Sequence, residues 1–436
     1  MRTSPEQTSA HPTAIRWKIL GILALASFVS YVLRTNLSFA APEMMQDLGL
    51  SEIEWGWILA AFTAGYALFQ IPGGVFGDRF GPRRILTLIA VTWAVLTFAT
   101  SIVPGQDFAS HLLIIASLFA VRFLVGAAHA PIFPVMNASI VRWFPKGGWA
   151  MPLGLSSTAL TLGGASAAIA LPLVITGFGW RVTFMFLAPL GFFVAGLWWW
   201  YSRDNPAEHP AVNVAEIALI NAGRGSFEEP GPDENGEASW FDVLKNRDVL
   251  FLTLSYTSMN FVFYIVFNWF FYYLVEVREF SATDAGFVAS AQWMAGAAGA
   301  ALGGWLCDRL CGRLGLRWGC RWPVIIGMSV SAVLLLVGAL HPTPAIAVSA
   351  MVLLFFFNQL NEGPYWATSV AVGGKHAGAA GGVMNTGANI MGVVNALLVP
   401  VLAHAFGWTA AIASGAIFAL LGVFFMLLVR ADRTIE

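Results

Sequence analysis

The stretch "GVFGDRFGPRR" (74–84) has a counterpart in "GWLCDRLCGR" (304–313). Both read G-x-x-x-D-R, and both follow a long apolar run. Asp78 and Asp308 therefore mark equivalent points of an internal repeat. Around the first motif, apolar windows long enough to cross about 30 Å of hydrocarbon lie at 17–41, 55–76, 85–103, 111–136, 150–176 and 181–201. Six more lie at 248–275, 284–306, 323–340, 346–370, 379–402 and 408–430. The first motif follows the second window and the second motif follows the eighth. This pattern predicts an all-α membrane protein of twelve transmembrane helices in two six-helix, pseudo-repeated halves.

A polar connector, 202–247, containing "FEEPGPDENGEAS" (227–239), separates the sets and has the composition of a flexible linker. The expected organisation is an N-terminal bundle over 1–201, a cytosolic linker over 202–247 and a C-terminal bundle over 248–436. Composition agrees: the 436 residues are 58% hydrophobic and only 11% charged, where soluble domains carry about 25% charge. Mean hydropathy is +0.71. A net charge of −1 gives no basis for nucleic-acid binding. The polar first sixteen residues precede an apolar run too long for a signal-peptide core, so the N-terminus is expected to stay cytosolic. Most of the Lys and Arg fall on that same side, with only Arg181 and Arg278 on the other. Both termini and the linker are thus expected inside, in a plasma (inner) membrane. Cys307, Cys311 and Cys320 lack a zinc-like spacing and read as free thiols. No metal, cofactor, nucleotide motif or enzymatic constellation is expected, so any transport is secondary.

Four ionisable residues remain inside predicted spans: Arg34, Arg122, His129 and Glu362. Within "RFLVGAAHAPIFP" (122–134), Arg122 and His129 stand two helical turns apart on nearly one face, about 10 Å along the axis. An arginine at mid-bilayer costs about 2.5–3.5 kcal/mol even on the mildest scale, and such residues face polar interiors. Two guanidinium groups against one carboxylate leave positive charge for an anionic ligand, which the planar fork grips bidentately. Alternatives stay open: Arg34 snorkelling to headgroups, Arg122 in a fixed ion pair, and His129 as a neutral imidazole on a backbone carbonyl rather than a proton site. Glu362, in "NQLNEGPYW" (358–366), is expected on one helical face with Asn358 and Ser369 and contacts substrate or coupling ion, or serves packing beside a Gly-Pro hinge. Polar stripes at Tyr66 and Gln70, at Asn260, Tyr264, Asn268 and Tyr272, and at Asn385 and Asn389 supply hydroxyl and amide groups, or interhelical contacts.

Gly74, Asp78, Arg79, Gly81, Arg83 and Arg84 match the loop signature of the major facilitator superfamily, which the chain resembles. More narrowly, "RTNLSFAAPEMMQDLGLS", "GYALFQIPGGVFGDRFGPRR", "RFLVGAAHAPIFP", "RWFP" and "GPYWATSV" resemble the anion:cation symporters, which carry sugar acids and other organic anions. The resemblance implies alternating access around a central site, with Arg34 and Tyr66 contacting substrate and Arg122 and Asn385 at the equivalent positions of the fourth and eleventh helices. Tyr264 and Asn268 complete the expected binding set. It also implies that Gly74, Asp78, Arg79, Arg83, Asp308 and Arg309 form a cytosolic gate. Two departures stand out: proton-coupled members carry acids where this chain has Leu33 and His129. Each charge moved against 100 mV costs about 2.3 kcal/mol, so anion uptake calls for a co-transported cation, with His129 or Glu362 as the proton site. The rival readings are uncoupled or exchange transport, a phosphate-ester exchanger, and a non-transporting sensor. The exchanger usually has a basic residue on span seven, and "SYTSMNFVFYIVFNWFFYYL" has none. Expected partners are the organic anion, a proton or other cation and the bilayer, with the protein a monomer.

Overall fold

The structure, a computed structural model, describes residues 11–145, 150–221, 243, 245–374 and 377–432. All regular elements among them are helical: α1 (Ile15–Leu48), α2 (Glu52–Phe80), α3 (Pro82–Ser101), α4 (His111–His129), α5 (Ile132–Trp143), α6 (Ala150–Tyr201) and α7 (Val214–Asn221) in the first half of the chain. The second half contains α8 (Arg247–Tyr264), α9 (Ala282–Leu340), α10 (Pro344–Gln359), α11 (Glu362–Gly373), α12 (Ala377–Phe406) and α13 (Trp408–Leu428). Among the described residues nine helical runs are long and apolar enough to cross a membrane. The twelve expected windows do not map one to one, because α6 and α9 run on for 52 and 59 residues. At about 1.5 Å per residue each would be at least twice the hydrocarbon thickness. Each contains one non-helical glycine, Gly179 (φ 80°, ψ 160°) and Gly315 (φ 75°, ψ 166°), in a region closed to other residues, and there the chain turns back.

Two expected windows are interrupted. The fourth stops at His129 and resumes at Ile132, and the tenth stops at Gln359 and resumes at Glu362. Pro134 and Pro364 come just after the breaks and stand the same number of residues apart as Asp78 and Asp308. Each proline removes the N–H that would bond the carbonyl four residues earlier, so the interruption is built into both copies of the repeat. Asn358 and Glu362, expected on one face with Ser369, lie on either side of the second interruption. Similarly, α8 continues as π-helix over Ile265–Trp269 and again over Tyr273–Val277. The extra residue per turn rotates the remainder of the span, and the four-residue stripe from Asn260 to Tyr272 is split.

In the first half α1 and α3 pack on α6 and α2 packs on α4; in the second α9 packs on α10 and α8 on α12 and α13. The two sets meet along α2–α12 and α6–α9. The first part of the connector is ordered, contrary to the flexible-linker expectation. Glu216 of α7, fully buried, accepts hydrogen bonds from the Thr13 hydroxyl, the Ile15 and Arg16 amides (3.0 and 3.1 Å) and the Arg16 guanidinium (3.3 Å). It acts as an N-cap delivered from elsewhere in the chain, satisfying amides that α1 leaves free. The "FEEPGPDENGEAS" segment lies outside the described residues.

Candidate functional site

The site is organised by the crossing of α2 and α4. A Cβ on Gly65 would lie 2.1 Å from the Phe123 carbonyl oxygen, and one on Gly126 would lie 1.9 Å from that of Phe62. Only glycine at both positions lets the two backbones touch. That contact sets the ring of Phe62 beside Arg122, whose guanidinium carbon is 5.2 Å from the ring centroid. On α1, Arg34 brings its own guanidinium to 5.3 Å from the same ring. Phe62 is thus shared by two cations. Arg34 is further surrounded by Tyr31 (5.4 Å), Tyr66 (5.1 Å) and Phe267 (5.2 Å), an aromatic cage drawn from α1, α2 and the π segment after α8. Rings of this kind hold a guanidinium in place without neutralising it.

Neither arginine forms an ion pair among the described residues. The Nε of each is buried without a hydrogen-bond partner. Arg34 sits near the middle of a 34-residue helix, walled by rings rather than extended toward headgroups, and Arg122 is only 3% exposed. Among the described residues, both guanidinium groups are thus held in place without a carboxylate partner.

His129 is buried and stacked on Trp93 at 4.7 Å. Its Nδ1 faces the Val125 carbonyl (2.9 Å) and its Nε2 the Ser30 carbonyl (3.3 Å), so the ring ties α4 to α1. Glu362 is half-buried, and one oxygen, Oε1, accepts from the Tyr256 hydroxyl (2.9 Å) and the Trp366 indole (2.8 Å). Asn358 donates instead to the Met259 carbonyl and Ser369 to that of Trp366. Tyr66 enters the Arg34 cage, whereas Asn385 is half-buried and offers its carbonyl to Asn389 (2.9 Å). Asn389 donates to Gln70 Oε1 (3.3 Å) and accepts from Tyr264 (3.5 Å), joining α2, α12 and α8. The Nδ2 of Asn268 is buried and unpartnered. Phe62, Tyr31 and Phe267 escaped the sequence reading, since a Phe or Tyr in an apolar helix carries no signal until a cation is placed against it.

Arg79, Arg83, Asp308 and Arg309, expected in the gate, are not among the residues whose rings surround Arg34 and Arg122. Arg79, Asp308 and Arg309 are exposed and make no ion pair among the described residues. The side chain of Asp78 and the surroundings of Gly74 lie outside the described residues. Arg83 caps the end of α6, donating to the Trp199 carbonyl from Nε (3.2 Å) and Nη2 (2.6 Å), while its amide donates to Asp204 (2.8 Å). At the opposite face, Glu52 at the start of α2 accepts from both Tyr272 and Trp408 at 3.0 Å, fastening the two sets of helices together.

The model for the Major Facilitator Superfamily matches residues 23–310. The chain belongs to that superfamily. This major facilitator protein is 30% identical over 402 residues to the probable galactarate/D-glucarate transporter GudP of Bacillus subtilis, covering 91% of this chain and 87% of that one. It is 29% identical over 384 residues to the probable sulfoacetate transporter SauU of Cupriavidus necator, covering 87% and 85%. Among solved structures, a bacterial homolog of the human lysosomal transporter Spinster superposes with a TM-score of 0.76 at 18% identity, covering 95% of this chain and 97% of that one. A D-xylose-proton symporter gives 0.73 at 15% identity, covering 95% and 97%. The major facilitator protein is an integral membrane transporter and not an enzyme.

Proposed function

We propose that this transporter carries a small organic anion of the sugar-acid class, with one or two carboxylates, by alternating access, and that Arg34 and Arg122 receive its charge. The observation that carries this reading is the pair of guanidinium groups within 5.3 Å of the Phe62 ring centroid, neither matched by an acid among the described residues. Two oriented cations in a low-dielectric interior select for negative charge, and a carboxylate that meets either fork forms charge-assisted hydrogen bonds. Tyr66, Tyr264, Asn268 and Asn385 supply partners for hydroxyl groups. The names of the relatives, transporters of galactarate, glucarate and sulfoacetate, support an acidic substrate.

In this reading twelve spans form two six-helix bundles, over 1–201 and 248–436, that rock about the site. Both termini are cytosolic, the membrane is the plasma membrane, and the protein acts as a monomer. Glu52 with Tyr272 and Trp408 closes the outer face. Gly74, Asp78, Arg79 and Arg83, with Asp308 and Arg309, form the inner gate. Uptake is cation-coupled, and Glu362 is the better proton site of the two candidates. Its second carboxylate oxygen is outside the Tyr256–Trp366 pair and the residue is only half-buried, while His129 is 2% exposed and stacked on Trp93. The second reading, exchange or uncoupled movement, is favoured by Leu33 and His129 standing where coupled members carry acids.

The test is transport by the purified protein in liposomes. A galactarate-type acid accumulates under an imposed inward proton gradient, and Arg34→Ala and Arg122→Ala abolish the uptake. Movement only against internal substrate, indifferent to the gradient, establishes the exchange reading. Absence of movement for every organic acid under both conditions overturns the proposal.

A further inference from the structure

All three cysteines of the chain converge at one place that the transport site does not use. Cys307 and Cys311 stand one turn apart in the outgoing leg of α9, and Cys320 is on the return leg beyond the Gly315 turn. The sequence spacing gave no metal pattern because the turn, not the interval, sets the geometry. Gly319 makes the approach possible: a Cβ there would lie 2.4 Å from the Cys311 Cα and 2.6 Å from its Sγ. The sulfur separations are 3.9 Å for 307–311, 3.7 Å for 307–320 and 3.5 Å for 311–320. Three sulfurs bound tetrahedrally at about 2.3 Å from a zinc ion would be separated by about 3.8 Å, so little movement is required.

We propose that Cys307, Cys311 and Cys320 form a binding site for a thiophilic d¹⁰ divalent cation of the Zn²⁺/Cd²⁺ class. Cys307 and Cys320 are buried and Cys311 is half-buried, which leaves the open coordination position on the Cys311 side. Soft thiolate donors select such ions over Mg²⁺ or Ca²⁺. Occupancy would clamp the two legs of α9 together beside Asp308 and Arg309, rigidifying the turn next to the repeated motif.

The test uses the untagged, reduced full-length protein in detergent, titrated with Cd²⁺ alone against a chelating indicator. One equivalent binds per chain, with a near-ultraviolet thiolate-to-cadmium charge-transfer band. Cys320→Ser weakens binding by roughly a hundred-fold, at the upper end of what even an outer-shell change costs a metal site. Substoichiometric binding, or a Cys320→Ser protein that binds as tightly as wild type, overturns the proposal. Should the serine variant fail to fold, maleimide labelling of the wild-type thiols read by mass spectrometry decides independently. Cd²⁺ protects all three thiols and a chelator restores labelling, whereas equal labelling with and without Cd²⁺ refutes the site.

Discussion

At the scale of single residues, the protein presents two guanidinium groups that share one aromatic ring and have no ion pair among the described residues. A charge-assisted hydrogen bond contributes about 1.5–3 kcal/mol net, so Arg34→Ala and Arg122→Ala should each weaken acid binding by roughly 10- to 150-fold, read by calorimetric titration. Arg122→Lys keeps the charge but not the fork and should fall between the two. Phe62→Leu retains apolar volume while removing the π face beside both cations, and at about 0.5–2 kcal/mol per cation–π contact it should lower affinity in the same titration with little change in melting temperature. The arginines were legible in the sequence because a charge inside an apolar window has few explanations. Phe62 was not, for phenylalanine in such a window has many. His129 shows the limit from the other side: its position marked it as unusual, but the Val125 and Ser30 carbonyls and the Trp93 ring it meets come from three helices, and no spacing could reveal them.

At the scale of helices, the backbone contact between α2 and α4 holds Phe62 against Arg122. Gly126→Ala would place a methyl within 1.9 Å of the Phe62 carbonyl oxygen, and the helices must part. Overpacking of this kind costs about 1–3 kcal/mol, so the variant should melt several degrees lower and bind acid more weakly, as followed by thermal denaturation with and without ligand. The Glu216 clasp on the start of α1 predicts a pH effect. Burial alone would raise its carboxyl, but hydrogen bonds from Thr13, Arg16 and Ile15 outweigh it and hold the group below the ordinary value of 4.5. A depressed acid stabilises the fold above its unfolded pKa, and that stabilisation is lost as pH falls through the folded value. Wild type should therefore lose melting temperature below about pH 4.5, and Glu216→Gln should melt lower at neutral pH with less of that acid-dependent loss. The linker's composition concealed this clasp, since one buried glutamate in a polar segment looks like any other. The helix breaks were partly legible: Gly363–Pro364 announced a weak point, yet the matching interruption after His129 emerges only when both copies of the repeat are compared.

At the scale of the whole molecule, the repeated motif and the hydropathy were enough for the fold, because a bilayer restricts a chain of alternating apolar windows to packed helices. Which faces meet was not legible, as it depends on glycine contacts and side-chain bonds between distant segments. The fastening of Glu52 to Tyr272 and Trp408 is one of these. Glu52→Ala removes both bonds, and the population should shift toward conformers open at that face, seen as increased labelling of a cysteine placed at Ser38 in a cysteine-free background. Unchanged labelling would deny Glu52 its sealing role. The central claim concerns charge, and its most direct measurement is thermal denaturation of the purified protein with a dicarboxylic sugar acid or with the uncharged polyol of equal carbon number. The account predicts stabilisation by the acid alone, absent in the Arg34→Ala and Arg122→Ala proteins. Equal stabilisation by the polyol, or an acid response that survives the loss of both arginines, would contradict it.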